Sequence, residues 1–290
     1  MSADPPAGAL PEPRRSTMPT PAGLAARRAA AGSPPRPRVP GVEIHEARYG
    51  DVPCLVCDPP RPRDVLTYFH GGGYRLGSAA LFAPFAARLA AATGSRVVAV
   101  DYRLAPEHPF PAALHDALAV HESILAERGR PPAAVGDSAG GGLAAALVAA
   151  CVRAGIAGPR ALVLASAWLD LRCAAASYAS RGASDRLFSR AAAREAAAQY
   201  LQGHDPGDPL ASPLLSDLAA FPPTLLFAST DEVLLDDALA MASGLARARV
   251  ATETRVERDV PHAWPAVAPD RPESAAALDT IARFLEREGT

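Results

Sequence analysis

The sequence predicts an α/β fold built on one central sheet, and three observations carry that prediction. Short, continuously apolar runs recur along the chain: "DVLTYF", "SRVVAV", "PAAV", "RALVLAS" and "PPTLLFAS". Strands covered by helices on both faces read this way, because neither face meets water. Helical patterns separate them: Leu81, Phe85 and Leu89 form one stripe, Leu114, Leu118 and Leu125 the next, and Leu278, Ile281 and Leu285 the last. Regular alternation of the two element types implies a mostly parallel sheet between helical layers. At 290 residues and 49% hydrophobic, the chain has enough apolar side chains to fill such a core.

Residues 1–40 carry ten prolines among arginine and alanine, so a flexible arm is expected there, with a short helix in "GLAARRAAA". The texture changes at Gly41, and residues 41–290 read as the folded domain. "VEIHEARYG" and "VPCLVCDP" alternate well enough for two early strands, paired antiparallel. Between "WLDL" and "DPLASPLL" the alternation fails. Residues 172–208 offer a polar loop and one helix, "SRAAAREAAAQYLQ", where a strand is due. An excursion of that length inside an α/β domain reads as a lid or an edge decoration.

Composition excludes several functions. The 29 basic and 31 acidic residues nearly cancel, which argues against a nucleic-acid partner. Every basic residue is arginine, so a lysine nucleophile, a Schiff base and a P-loop are excluded. Cys54, Cys57, Cys151 and Cys173 are too few and too scattered for a disulfide framework, and no second Cys or His pair accompanies "CLVC". Buried thiols are expected, with no metal. No apolar run approaches a membrane span, and the early arginine pairs are not followed by the apolar segment of a signal peptide. A soluble, cytoplasmic protein is expected.

The chemistry is expected at two glycine-rich turns. "PAAVGDSAGGGLAAALVAA" holds Gly136-Asp137-Ser138-Ala139-Gly140 between an apolar run and a long alanine-rich helix. G-x-S-x-G in that setting lifts a serine hydroxyl out of a sharp strand-to-helix turn, with helical N–H groups directed at it. "HGGGY", from His70 to Tyr74, follows another apolar run. A tetrahedral acyl intermediate places a negative charge on oxygen, and main-chain N–H groups must approach within about 3 Å of it. Backbone without side chains permits that. Gly72, Gly73 and Ala139 are assigned as the donors, with Gly71 as a further candidate.

A nucleophilic serine needs a base and a group that orients the base. Of seven histidines, His262 in "RDVPHAWP" lies just past the final strand-like segment, where it could reach over the sheet edge to Ser138. The orienting carboxylate should leave the end of the preceding strand. "STDEVLLDDA" offers Asp231, Glu232, Asp236 and Asp237. Asp231 comes first after the apolar run and is chosen, the other three being assigned to the next helix or its cap.

With these pieces in order, the chain resembles the hormone-sensitive-lipase-like (bacterial type IV) esterases of the α/β-hydrolase fold. The matching segments are "HGGGY…GS", "DYRLAPEHPFPAAL", "GDSAGGGLA", "SAWLDL", "DPLASPL", "STDEVLLDDA" and "VPHAW". The resemblance implies an eight-stranded, mostly parallel sheet. It also implies a small cap made from the arm and the 172–208 excursion. Its catalytic roles carry over as Ser138 nucleophile, His262 base and Asp231 orienter, acting on short-acyl esters without metal or organic cofactor. Deacylation of an N- or O-acylated natural product, or acyl transfer, would use the same intermediate. A non-catalytic receptor on this fold is the alternative of another class. "YRLAPEHPFPAA" resembles the family's structural brace. The family's usual Ser-Pro-Trp is Ser166-Ala167-Trp168 here, and Arg75 replaces a commonly apolar residue. Tyr74 and Arg75 are candidate substrate contacts, and Arg75 reads either as a solvated side chain or as the partner of an anionic substrate group.

Overall fold

The eight strand-like runs form one sheet in the computed structural model, which describes residues 9–32 and 35–289. The strands are β1 (Glu43–Tyr49), β2 (Val52–Asp58), β3 (Val65–Phe69), β4 (Arg96–Val100), β5 (Ala133–Asp137), β6 (Leu162–Ala165), β7 (Thr224–Ser229) and β8 (Thr252–Glu257). Their spatial order is β1-β2-β4-β3-β5-β6-β7-β8. The β1–β2 and β2–β4 pairs are antiparallel and the rest parallel.

The apolar runs are buried on both faces, as their composition requires. On β3, Leu66 and Tyr68 face one core and Val65 and Phe69 the other. Successive residues of β4 divide in the same way, Val97 and Ala99 against Val98 and Val100. This period-two sorting is the strand geometry itself. One face is covered by α2 (Ala83–Thr93), the one-turn α8 (Trp264–Val267) and α9 (Pro272–Arg287), and the other by α3 (Ala112–Arg128), α4 (Ala139–Ala154) and α7 (Leu235–Arg247). Each fully buried leucine or phenylalanine contributes about 1.5–3 kcal/mol.

The 172–208 excursion contains no strand. It holds the one-turn α5 (Ser177–Ser180) and α6 (Arg190–Leu201), whose first turn is capped by Ser189 accepting from the Ala192 N–H at 3.2 Å. The buried face of α6 is Ala193, Ala196, Ala197 and Tyr200. Against this unit lies the arm, with α1 (Ala22–Ala31). Arg14 donates to the carbonyl of Leu201, Thr17 N–H donates to Gln202 Oε1 at 2.7 Å, and Arg28 pairs with Glu107 at 2.7 Å. These contacts tie residues 14–28 of the expected arm to the rest of the chain. Residues 1–8 and 33–34 of the expected arm lie outside the described residues. Among the described residues, no helix is long and apolar enough to cross a membrane. All four cysteines are free and buried.

Candidate active site

The glycine turn after β3 is shaped by what surrounds it. Gly72 has φ +124° and Gly73 +63°, both in the region that side chains avoid. A Cβ on Gly72 would strike the carbonyl of Leu76, and one on Gly71 would strike the carboxylate of Asp137. The Gly71 N–H donates to Asp137 Oδ1 at 3.0 Å. It therefore faces away from an oxyanion, and Gly71 drops out of the expected donor set. Among the described residues, the amides of Gly72, Gly73 and Ala139 have no hydrogen-bond acceptor. The turn is backed by Tyr102, whose hydroxyl donates to the His70 carbonyl at 2.7 Å.

Ser138 sits between β5 and α4 with φ +53° and ψ −122°, a strained conformation for a residue with a side chain. The helix starts Ala139-Gly140-Gly141-Gly142. A Cβ on Gly140 would overlap the Phe69 carbonyl, so glycine here lets α4 press against the glycine turn. Asp137, the variable residue of the motif, turns inward. It also accepts the Tyr68 hydroxyl at 2.6 Å, and burial pushes its pKa up to about 6. This inward carboxylate ties the serine turn to the glycine turn, a role the sequence reading did not assign.

His262 lies in the loop after β8, with Ala263 in a left-handed conformation whose N–H donates to Ser166 Oγ at 2.9 Å. The Ser138 hydroxyl is 2.8 Å from Nε2, and Nδ1 is 2.8 Å from Glu232 Oε2. The N–H on Nδ1 that faces the carboxylate leaves Nε2 to accept from serine. Glu232 is fully buried, and its other oxygen accepts the Ser229 N–H at 2.9 Å. Burial disfavours the charged imidazole, but the hydrogen bond to Glu232 and the negative charges of Glu232, Asp185 and Asp137 outweigh it, raising the His262 pKa above 6.5.

The expected partner, Asp231, is displaced by its neighbour. Its carboxylate accepts the Asp259 N–H at 3.2 Å and the Thr230 hydroxyl at 3.3 Å, and it has no hydrogen bond to His262. The chain leaves β7 at Ser229 and turns, which leaves Asp231 partly exposed on the loop and Glu232 fully buried. Glutamate has the extra methylene needed to reach from there. A signal was present: Glu232 directly precedes the fully buried Val233 and Leu234, so the chain is already turning inward at that position.

Tyr74 and Arg75 are likewise engaged. The Tyr74 ring stacks on Tyr200 of α6, centroids 3.9 Å apart and ring planes nearly parallel, and it is buried. It is a packing residue between the glycine turn and the cap, which removes the expected substrate contact. Arg75 is buried too. Its Nη1 is 3.1 Å from Glu195 and 3.2 Å from Gln199, both on α6, and its carbonyl accepts from Arg28 Nε at 2.8 Å. Opposite these, Phe188 stacks over His262 with centroids 6.0 Å apart. A cleft of ≈ 520 Å³ beside His262 is lined by Ser184, Asp185, Leu187, Asp231 and Val260.

A family model described as the alpha/beta hydrolase fold matches residues 66–266, most of the chain and all of these catalytic-type residues. The chain belongs to the α/β-hydrolase family. An acetyl-hydrolase of Streptomyces hygroscopicus is 41% identical over 224 residues, covering 76% of this chain and 75% of its own. The carboxylesterase NlhH of Mycobacterium tuberculosis is 33% identical over 247 residues, covering 78% and 76%. A hormone-sensitive lipase from a metagenome library superposes with TM-score 0.89 at 29% identity, covering 94% of both chains. An esterase of the bacterial hormone-sensitive lipase family gives 0.86 at 36% identity, covering 94% and 93%. This α/β-hydrolase is therefore a carboxylesterase-type enzyme of the hormone-sensitive-lipase-like group. The serine and histidine of its site were legible in the sequence and Glu232 was among the acids offered, whereas the choice of Glu232 over Asp231 and the places of Asp137 and Phe188 come from the fold.

Proposed function

We propose that the enzyme hydrolyses carboxylic esters with short acyl groups through an acyl-enzyme on Ser138, with His262 as base and Glu232 as its orienting partner. The observation that carries this reading is the continuous hydrogen-bonded line from the Ser229 amide through Glu232 and His262 to the Ser138 hydroxyl. In the first half-reaction His262 Nε2 takes the serine proton as Oγ attacks the ester carbonyl. The carbonyl oxygen becomes negative and is met by the N–H groups of Gly72, Gly73 and Ala139, each worth about 3–4 kcal/mol at the transition state. Protonated His262, stabilised by Glu232, then gives its proton to the departing alkoxide. Water repeats the sequence on the acyl-serine and releases the acid.

The acetyl-hydrolase relative favours a short acyl group. It also supports a second reading, removal of an acetyl group from an N- or O-acetylated natural product by the same chemistry. A serine-directed organophosphonate should add one covalent mass to the enzyme and none to Ser138→Ala. Among p-nitrophenyl esters, acetate and butyrate should turn over faster than decanoate. Adduct formation with no turnover of any chain length would favour the specialised deacetylase, and absence of the adduct would end the acyl-enzyme reading.

A further inference from the structure

The loop that carries the triad acid is fastened to the cap on both sides of Glu232. On one side, the Asp231 carbonyl accepts the Ser184 hydroxyl at 2.9 Å. On the other, the Val233 N–H donates to Asp185 Oδ2 at 3.0 Å, while the Val233 carbonyl accepts the Ser177 hydroxyl at 2.6 Å. Ser177, Ser184 and Asp185 all belong to the excursion. Asp185 is the two-sided member of this set. Its second oxygen accepts the N–H groups of Leu187 and Phe188, both at 2.9 Å, and the Phe188 ring lies against the His262 imidazole.

We propose that Asp185 is a positioning residue for the hydrolytic reaction: it holds the cap loop and the acid loop in one register, so that Glu232 meets His262 only when the cap is seated. This rests on the triad reading given above. A carboxylate suits the position because N–H donors approach it from opposite ends. Asparagine would turn an NH₂ towards one set of donors and break that side. A cap that lifts would draw Val233 with it and loosen the buried Glu232–His262 hydrogen bond, coupling access at the cleft to readiness of the base.

The charged groups around the imidazole come from four elements: Glu232 and Asp231 after β7, Asp137 at the serine turn, Asp185 and Arg186 in the cap loop, and Asp259 and Arg271 beyond β8. Asp185 adds to the negative charge felt by His262, so its removal should lower the imidazole pKa as well as loosen its orientation. The test compares Asp185→Ala, Asp185→Asn and Ser184→Ala in the full chain. It follows kcat and KM for p-nitrophenyl acetate against pH, with an NMR titration of His262 that needs no turnover. Expected for both Asp185 variants are a fall in kcat of roughly tenfold with KM within about twofold, and a His262 titration moved to lower pH. Ser184→Ala, which loses one hydrogen bond and no charge, should show the kcat effect in weaker form without the titration shift. If Asp185→Ala does not fold, Asp185→Asn decides. An unmoved His262 titration, or a loss confined to KM, overturns the positioning role. Failure of the esterase reading itself would differ, because the unaltered enzyme would then turn over no ester.

Discussion

Asp231 and Glu232 are adjacent acids, and their side chains meet different neighbours. Glu232 is buried between Ser229 N–H and His262 Nδ1, while Asp231 caps a loop amide at Asp259. Glu232→Gln should therefore cut kcat by about 10²–10⁴-fold, through the wrong tautomer and an unstabilised imidazolium, and Asp231→Asn should stay within about threefold of the parent. The pH dependence separates the two further. His262 acts as a base only when neutral, so activity rises with pH through its pKa, which lies above 6.5 in the parent. An amide at position 232 removes the main cause raising that pKa, and the acid limb of kcat/KM should move to lower pH. With Asp231→Asn it should not move. Steady-state kinetics across the pH range check both. Ser138 and His262 were readable in the sequence because turn glycines and chain order constrain them. The choice between two neighbouring acids depends on one turn of backbone after β7, which no spacing rule encodes.

At the level of elements, the sheet was legible because burial on both faces leaves an unmistakable apolar run, and α6 because alanine dominates its inward face. The arm was not. Its helix α1 buries Leu24 and little else, and it is held by arginine contacts to carbonyls and to Glu107, which composition cannot distinguish from a solvated charge run. Arg75 is where these elements meet. Its carbonyl is bound by Arg28 of α1 and its guanidinium by Glu195 and Gln199 of α6, so the glycine turn, the arm and the cap share one residue. Its burial removes water screening from the ion pair, although Glu195 itself is largely exposed, which limits the gain. Acting as a brace, Arg75 should matter equally for all substrates. Arg75→Ala is expected to lower kcat/KM by roughly 5–10-fold, alike for neutral p-nitrophenyl butyrate and a carboxylate-bearing ester of similar size. A loss restricted to the carboxylated ester would instead show that the guanidinium reads substrate.

Across the whole molecule, function leaves a mark on stability through carboxylates buried behind the site. Asp237, at the start of α7, accepts the N–H groups of Leu169 and Asp170 at 3.0 and 3.1 Å and so pins the loop after β6 beneath the cap. Burial, with Asp170 and Asp236 nearby, pushes its pKa up to about 7 from 3.8. The folded state therefore holds this proton more tightly than the unfolded chain. The associated stability is fully present below about pH 4 and is lost as pH rises through about 7. Asp137, raised to about 6, behaves in the same sense. Asparagine at 237 keeps a carbonyl oxygen for both amides and carries no charge to bury. Asp237→Asn should thus have a melting temperature close to the parent at about pH 3, where the aspartate is largely protonated in both states. At about pH 8.5 it should exceed the parent by on the order of 5 °C, corresponding to roughly 2–4 kcal/mol. Thermal unfolding followed by circular dichroism at the two pH values measures the difference. A variant destabilised at about pH 8.5 but not at the lower pH would mean that the carboxylate is needed as an ion, and that the loop after β6 is held by charge and not by hydrogen-bond geometry alone.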